Sequence, residues 1–504
     1  MNHNQVAGWQ HTLAFFESEL FHDVQMAGLF SDSKTFADAI PVESWQAALE
    51  AYPKLREQPT FCLRKFVHEH FNLPPPVSLT SRQKFNRTGE YIEHMWKVLG
   101  QRPDIADNSS LIPLPHPYIV PGGRFREIYY WDSYFTALGL MHDGHRGIVV
   151  SMLKNFLAIQ EQVGSIPNGN RSYYLGRSQP PILALMFELL EPESLSEELA
   201  KRCLAGIERE YEFWMVGAKT LGEGESYRRV VAMPDGSILN RYYDENTTPR
   251  PESYKEDIEA AQQVTDKKQF FRDLRAACES GWDFSSRWLA DPQMLTTVRT
   301  TQIVPIDLNA LLYHVELTLA KYTTDTGNKA AMYRQAAEKR QQAINHYLWS
   351  KSDGFYYDWC LADNARTRIA SLAATVPMFT GMASKAQSNA VASTLSSFIA
   401  PGGLVTTLNK TQQQWDAPNG WAPLQWFAIK GLLNYQYTNQ ARDIAQRWVN
   451  CVDAYFSHHH SILEKYNVED TGVPAGGGEY EVQLGFGWTN GVYVKCQQLL
   501  HELN

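Results

Sequence analysis

The chain has 504 residues, with 46 Lys+Arg against 55 Asp+Glu and a formal net charge of −9. An acidic balance without a long block of like charges excludes nucleic acid and anionic membranes as partners held by bulk electrostatics. No stretch approaches the roughly 20 apolar residues of a membrane helix. The six scattered cysteines form no CxxC pair, which argues for reduced thiols rather than disulfides or a zinc site. The opening MNHNQVAGWQHTLAFF has neither the basic nor the apolar region of a signal peptide, so the expected location is the cytoplasm.

In chain order, an N-terminal extension of about 60 residues comes first, and helical periodicity dominates from about residue 88. Helices are predicted over 88 to 99, 146 to 163, 181 to 190 and 194 to 216, with short strands near 228 to 233 and 355 to 359. Leu308, Leu311, Leu312, Val315 and Leu319 share one face. After the turn Thr326-Gly327-Asn328, Tyr333, Ala336, Ala337, Ile344, Tyr347 and Leu348 share another, which predicts an antiparallel hairpin. A second hairpin joins Leu424, Phe427, Ala428 and Leu432 to Ala441, Ile444, Ala445, Trp448, Val449, Val452 and Phe456, with Thr438-Asn439 as stop and N-cap. The sum is an all-α protein: residues 1 to 60 as an extension packing on one large domain, residues 61 to 504. Periodicity alone leaves a solenoid, a globin-like assembly and a closed double ring of helices open.

Long connections rich in Gly, Trp, Asp and Asn, at 116 to 134, 222 to 256, 402 to 422 and 466 to 490, are where function is expected. Aromatic residues make up 12% of the chain, many of them beside polar residues, and flat rings next to polar groups suit sugar faces. Pro121-Gly-Gly-Arg-Phe-Arg-Glu-Ile-Tyr-Tyr-Trp-Asp-Ser-Tyr134 sets a cationic fork, aromatic planes and a carboxylate behind a glycine turn. Arg124 would donate to hydroxyls, Trp131 would cover a sugar face and Asp132 would accept from hydroxyls. Gln414-Trp-Asp-Ala-Pro-Asn-Gly-Trp-Ala-Pro423 repeats the Trp-Asp pair, and Gly476-Gly-Gly-Glu-Tyr480 precedes Gly485-Phe-Gly-Trp-Thr-Asn-Gly491. Cleaving a glycosidic bond takes two carboxyl groups, one protonated and one ionised. Asp283 lies between Trp282 and Phe284, an apolar setting suited to a raised pKa and a general acid. For the base, spacing does not rank Glu464, Glu479 and Glu481.

The Pro121 to Tyr134 and Gln414 to Pro423 segments closely resemble the two signature motifs of the trehalases, glycoside hydrolase family 37. Further landmarks follow in the family's order: Ile166-Pro-Asn-Gly169, Arg177-Ser-Gln-Pro-Pro181, Arg250-Pro-Glu252, Gly281-Trp-Asp283, Glu464-Lys-Tyr466 and the Gly476 to Gly491 stretch. Phe21-His-Asp-Val-Gln and Ser31-Asp-Ser-Lys-Thr-Phe-Ala-Asp38 also resemble the opening of bacterial trehalases, of the cytoplasmic type where no signal peptide is present. The resemblance implies an (α/α)6 barrel with its site in the loops at one end. It also implies hydrolysis of α,α-trehalose to two glucose molecules with inversion and without a cofactor. Residue for residue, Asp283 corresponds to the general acid and Glu464 to the general base. Arg124, Trp131, Asp132, Asn168, Arg177, Ser178, Gln179, Arg250, Pro251, Glu252, Gly281 and Glu479 correspond to sugar-binding positions. Inversion requires room for a water between base and sugar, hence carboxyl groups about 6.5–9.5 Å apart.

His458-His459-His460 is not expected to hold a metal, since three adjacent side chains cannot face one ion on a regular helix. The expected partner is a small sugar only, the expected state a monomer. Two rivals are an inverting disaccharide phosphorylase, which would need phosphate and no base, and a non-catalytic trehalose-binding protein.

Overall fold

The computed structural model describes residues 8–75, 84–323 and 327–503. The predicted turn at 326 to 328 therefore falls partly outside the described residues, at Thr326. Thirteen helices matter for the site. We number them α1 Thr88–Val98, α2 Tyr130–His142, α3 Arg146–Val163, α4 Leu183–Leu189, α5 Glu197–Trp214, α6 Lys267–Glu279, α7 Ile306–Tyr322, α8 Lys329–Tyr347, α9 Val376–Phe379, α10 Lys385–Thr394, α11 Ala422–Asn434, α12 Thr438–His459 and α13 Gly487–Glu502.

Burial sorts these helices into two rings. Every residue from Tyr130 to Leu140 in α2 is buried, as are Ile306–Leu312 in α7, Ala422–Ile429 in α11 and Gly487–Val494 in α13. A helix covered on all sides belongs to an interior. These four, with α4 and α9, pack in the order α2, α4, α7, α9, α11, α13 and back to α2, which closes an inner ring of six. The other members of the hairpins bury one stripe only. In α5 it is Cys203, Gly206, Ile207, Glu210 and Trp214, and in α12 it includes Ala441, Ile444, Ala445, Trp448, Val449, Val452 and Phe456. The result is an (α/α)6 barrel, and it removes the solenoid and globin-like alternatives.

The predicted helices fall where periodicity placed them, with ends shifted by a few residues. One detail differs. Thr438 and Asn439 already lie inside α12, whose N-cap is Tyr437 without a side-chain capping bond. The tract His458 to His460 is exposed and simply ends α12, with His460 in the left-handed region at φ 51°.

Residues of the N-terminal segment build a second apolar core, from Phe15, Leu20, Phe21 and Val24 through Phe36, Trp45 and Tyr52 to Phe66 and Phe71. Tyr129, Tyr173 and Tyr174 of the barrel loops complete it. A buried charge cluster ties the same two parts together. Lys34 bonds Asp38 and Glu127, Arg171 Nε donates to Glu127 at 3.1 Å, and the Tyr173 hydroxyl donates to Asp38 at 2.7 Å.

The ring closes where α13 lies against α2, and two glycines set that distance. A Cβ on Gly491 would stand 2.1 Å from the Phe135 carbonyl oxygen, and one on Gly139 would stand 2.7 Å from the Gly491 Cα. Gly491→Ala is expected to destabilise the protein by about 1–3 kcal/mol through overpacking against rigid backbone. Gly147→Ala, which meets nothing within 4 Å on α3, should be neutral or slightly stabilising. Thermal melts of both variants check this, and equal melting temperatures would contradict a tightly closed seam.

Candidate active site

The loops at one end of the barrel bring the motifs together around one cavity. Among its lining residues are Arg124, Trp131, Asp132, Asn168, Arg177, Gln179, Arg250, Glu252, Gly281, Asp283 and Glu479. Ser178, Pro251 and Glu464 are not. The Ser178 side chain turns away to donate to the Ile166 carbonyl at 2.6 Å, and its amide donates to Glu279 at 2.8 Å. The Pro251 carbonyl accepts from Gln25 of the N-terminal segment at 3.3 Å.

Asp283 follows α6 through Gly281, which has φ +76° and whose Cβ would lie 2.6 Å from the Trp131 ring, so both backbone and space demand glycine there. Trp282 then stacks on Trp415 with centroids 5.6 Å apart, and Trp415 on Trp421 at 3.9 Å. The segment after the carboxyl is clamped twice. The Arg287 fork grips Asp307 of α7 at 2.7 and 2.9 Å and Asp358 at 2.6 and 2.9 Å. Asp416 accepts from the Ser285 hydroxyl at 2.9 Å and from the Ser286 amide and hydroxyl at 2.8 Å. Asp416 is thus a structural clamp, unlike Asp132, while Trp415 lines the cavity as Trp131 does. Burial pushes the Asp283 carboxyl up to about 7, Glu479 adds to the rise, and Arg250 and Arg177 oppose it.

Glu464 begins the turn into β2 Lys465–Asn467, which pairs antiparallel with β1 Asn419–Trp421. Its backbone is fixed by α13, whose Trp488 indole donates to the Glu464 carbonyl at 2.9 Å. Its Oε2 accepts from the Gln483 amide at 3.1 Å, while Oε1 is buried without a hydrogen bond, 3.8 Å from Lys465 Nζ. Burial raises its pKa, opposed by Lys465, the Gln483 amide, the cavity residue Tyr480 and Arg124. Asp132, in the first turn of α2, is raised well above the ordinary range, by burial first and then by the charges of Asp283 and Glu464. The three carboxyl groups thus share one field.

Each arginine of the cavity is held by a carboxylate. Arg177 bonds Glu252, and its Nε donates to Asn168 Oδ1 at 3.2 Å. Arg250 donates to Asp257 and, at 2.8 Å, to Glu479. Arg124 donates through Nε and Nη2 to the two oxygens of Asp32, both at 2.8 Å. Gln179 accepts from the Trp131 amide at 2.9 Å. Three buried polar atoms here make no hydrogen bond among the described residues: Arg177 Nη1, 3.7 Å from Asp244, Glu252 Oε2, and Glu464 Oε1, 3.8 Å from Lys465 Nζ. Unsatisfied buried groups of this kind mark places where a ligand's hydroxyls complete the bonding.

Sequence reasoning did not single out Tyr480, Lys465, Gln414 or Asp32. The first three stand inside motifs that were recognised. Gln414 donates to the Asp283 carbonyl and accepts from Lys465 Nζ, a link between the two carboxyl-bearing segments that only the fold creates. Among the described residues no group of three or more His, Cys, Asp or Glu is arranged for a metal. None of the described helices is long and apolar enough to cross a membrane.

A family model described as Trehalase matches residues 28–501. A periplasmic trehalase of Salmonella paratyphi B is 47% identical over 494 residues, covering 95% of this chain and 85% of that protein. One from Salmonella agona is 46% identical over the same extent. Among solved structures, the neutral trehalase of Saccharomyces cerevisiae shares 29% identity at TM-score 0.63, over 76% of this chain and 73% of its own. A mannosylglycerate hydrolase of Thermus thermophilus, 16% identical at TM-score 0.51 over 75% and 95% of the two chains, shares the fold alone. These relatives correct the expected location. Proteins at 46–47% identity are named periplasmic, which points away from the cytoplasm and from the cytoplasmic subtype. Six free cysteines, five of them buried, and an acidic folded body suit either compartment, so composition had no power to decide. With nearly its whole length matched, the chain belongs to the trehalase family.

Proposed function

We propose that this chain hydrolyses α,α-trehalose to two glucose molecules with inversion, with Asp283 as general acid and Glu464 as general base. The observation that carries the reading is a carboxyl pushed up to about 7 in a cavity whose buried Arg177 and Glu252 each keep a polar atom without a hydrogen bond. A group with that pKa is protonated when mildly acidic solution leaves ordinary carboxyls ionised, as an acid catalyst must be. Asp283 gives its proton to the bridging oxygen as the bond to one anomeric carbon breaks. Glu464 takes a proton from a water attacking that carbon from the opposite face. Arg124, Arg177 and Arg250, with Asp132, Asn168, Gln179, Glu252 and Glu479, hold hydroxyls, and Trp131 covers a ring face. Ser178, Pro251 and Gly281 contribute through the backbone that carries their neighbours.

The same reading takes the protein as a monomer. It divides the chain into an N-terminal unit packed on the barrel end and a catalytic barrel, a division that the separate core running from Phe15 to Phe71 supports.

Proton NMR with trehalose in phosphate-free buffer tests the reaction. Equal early α- and β-glucose are expected before mutarotation. Early α-glucose alone would mean retention, a strict need for phosphate would mean a phosphorylase, and binding without turnover would mean a sugar-binding protein. Asp283→Asn and Glu464→Gln should each lower kcat by about 10²–10⁴-fold with trehalose binding largely kept. Near-wild-type turnover in either variant would remove that residue from the chemistry. The pKa directions also set the shape of the pH profile. Activity needs Glu464 ionised, so kcat/KM falls as pH drops through its raised pKa. It needs Asp283 protonated, so kcat/KM falls again as pH rises through about 7. A flat profile between pH 4 and 9 would contradict the pair.

A further inference from the structure

The stretch Ser31 to Asp38 lies far from the barrel motifs in sequence, and the reaction as proposed uses none of its residues. In the fold one of its side chains, Asp32, reaches the cavity residue Arg124. Asp32 takes Arg124 in a two-pronged bond, with Nε and Nη2 each 2.8 Å from one carboxylate oxygen. The Arg124 guanidinium is further fixed by the Glu252 carbonyl at 3.2 Å and by the Tyr480 and Phe125 rings, with centroids at 4.7 and 5.4 Å. Among the described residues Nη1 of Arg124 meets no acceptor. The fork geometry decides what this does. A planar guanidinium held along one edge has its plane and its remaining donors fixed, whereas a single contact would leave it free to turn. Burial alone would raise the Asp32 carboxyl, but the bonds and charge of Arg124 and the Lys34 amide hold it below its ordinary value, so it stays ionised across the working pH range.

We propose that Asp32, supplied by the N-terminal segment, is a positioning residue for the reaction: it fixes the Arg124 guanidinium so that Nη1 is presented to the sugar. The inference rests on Arg124 being a sugar-binding residue. It makes the N-terminal segment a working part of the site rather than a cover on it.

A double-mutant cycle with Asp32→Asn and Arg124→Lys tests this on the full chain. Asp32→Asn alone should lower kcat/KM by about 10–100-fold, the scale of a misplaced contact group. In the Arg124→Lys background, where no fork remains to be aligned, the same change should cost little more. Ser33→Ala removes a neighbouring bond to Glu256 at 3.0 Å without touching Arg124, and should keep wild-type kcat/KM. Losses that add in the double variant, a wild-type Asp32→Asn, or an equal loss in Ser33→Ala would each overturn the proposal. Wild-type kcat/KM in Arg124→Lys would instead overturn the sugar-binding reading of Arg124, and the inference with it. Melting temperatures accompany every variant. Should Asp32→Asn melt below the assay temperature, the same cycle with Asp32→Glu, which keeps the charge and displaces the fork, carries the test with the same expected pattern.

Discussion

The cost of taking ionised groups out of water governs how this barrel end is built. Arginines and carboxylates crowd into a volume walled by tryptophans, and an unpaired charge there would be prohibitively expensive. Nearly all are therefore matched: Arg124 with Asp32, Arg177 with Glu252, Arg250 with Asp257, Arg229 with Glu279, Arg287 with Asp307 and Asp358. Asp283 forms no such ion pair among the described residues, and burial pushes its carboxyl up to about 7. Glu464 keeps a lysine at 3.8 Å and one bonded oxygen, enough to oppose burial but not to cancel it. Arg250 and Arg177 oppose the rise at Asp283 as Lys465 does at Glu464, and burial still lifts both carboxyls above their ordinary range.

Rigidity comes from a different set of contacts. Trp131, Trp415, Trp421 and Trp488 touch one another around the cavity, which joins the starts of α2 and α13 to the segment leading into α11. Gly281 exists because the Trp131 ring occupies the space a side chain would fill. Asp416 and Arg287 then lock the chain beyond Asp283 to the neighbouring loop and to α7. A pocket assembled from loops thereby acquires the stiffness that directional sugar recognition requires.

How much of this the sequence revealed depended on whether a feature is local. The stripes of α5 and α12 repeat along the chain and predicted those helices to within a few residues at their ends. The inner helices, apolar on every side, gave weaker boundaries and no ring order. Motif resemblance named Asp283, Glu464, the three arginines, Trp131 and Asp132, and gave the second Trp-Asp pair no role. Asp132 faces the cavity and Asp416 binds serines more than a hundred positions away, a difference made only by folding. Asp32 and the Gln414 link were invisible for the same reason: each acts on a residue remote in sequence. Location was read from the opening residues, and the relatives named periplasmic overturn that reading.

The inner ring closes between α2, the first of its helices to be synthesised, and α13, the last. The Glu464 carbonyl accepts from Trp488 and Thr489 of that helix, so Glu464 takes its place only when the seam zips shut. Barrel closure is thus the longest-range event in folding and among the slowest kinds of contact to form. A growing chain holds the cavity's arginines and Asp283 well before Glu464 is fixed, so the cavity end stays incomplete until α13 has docked.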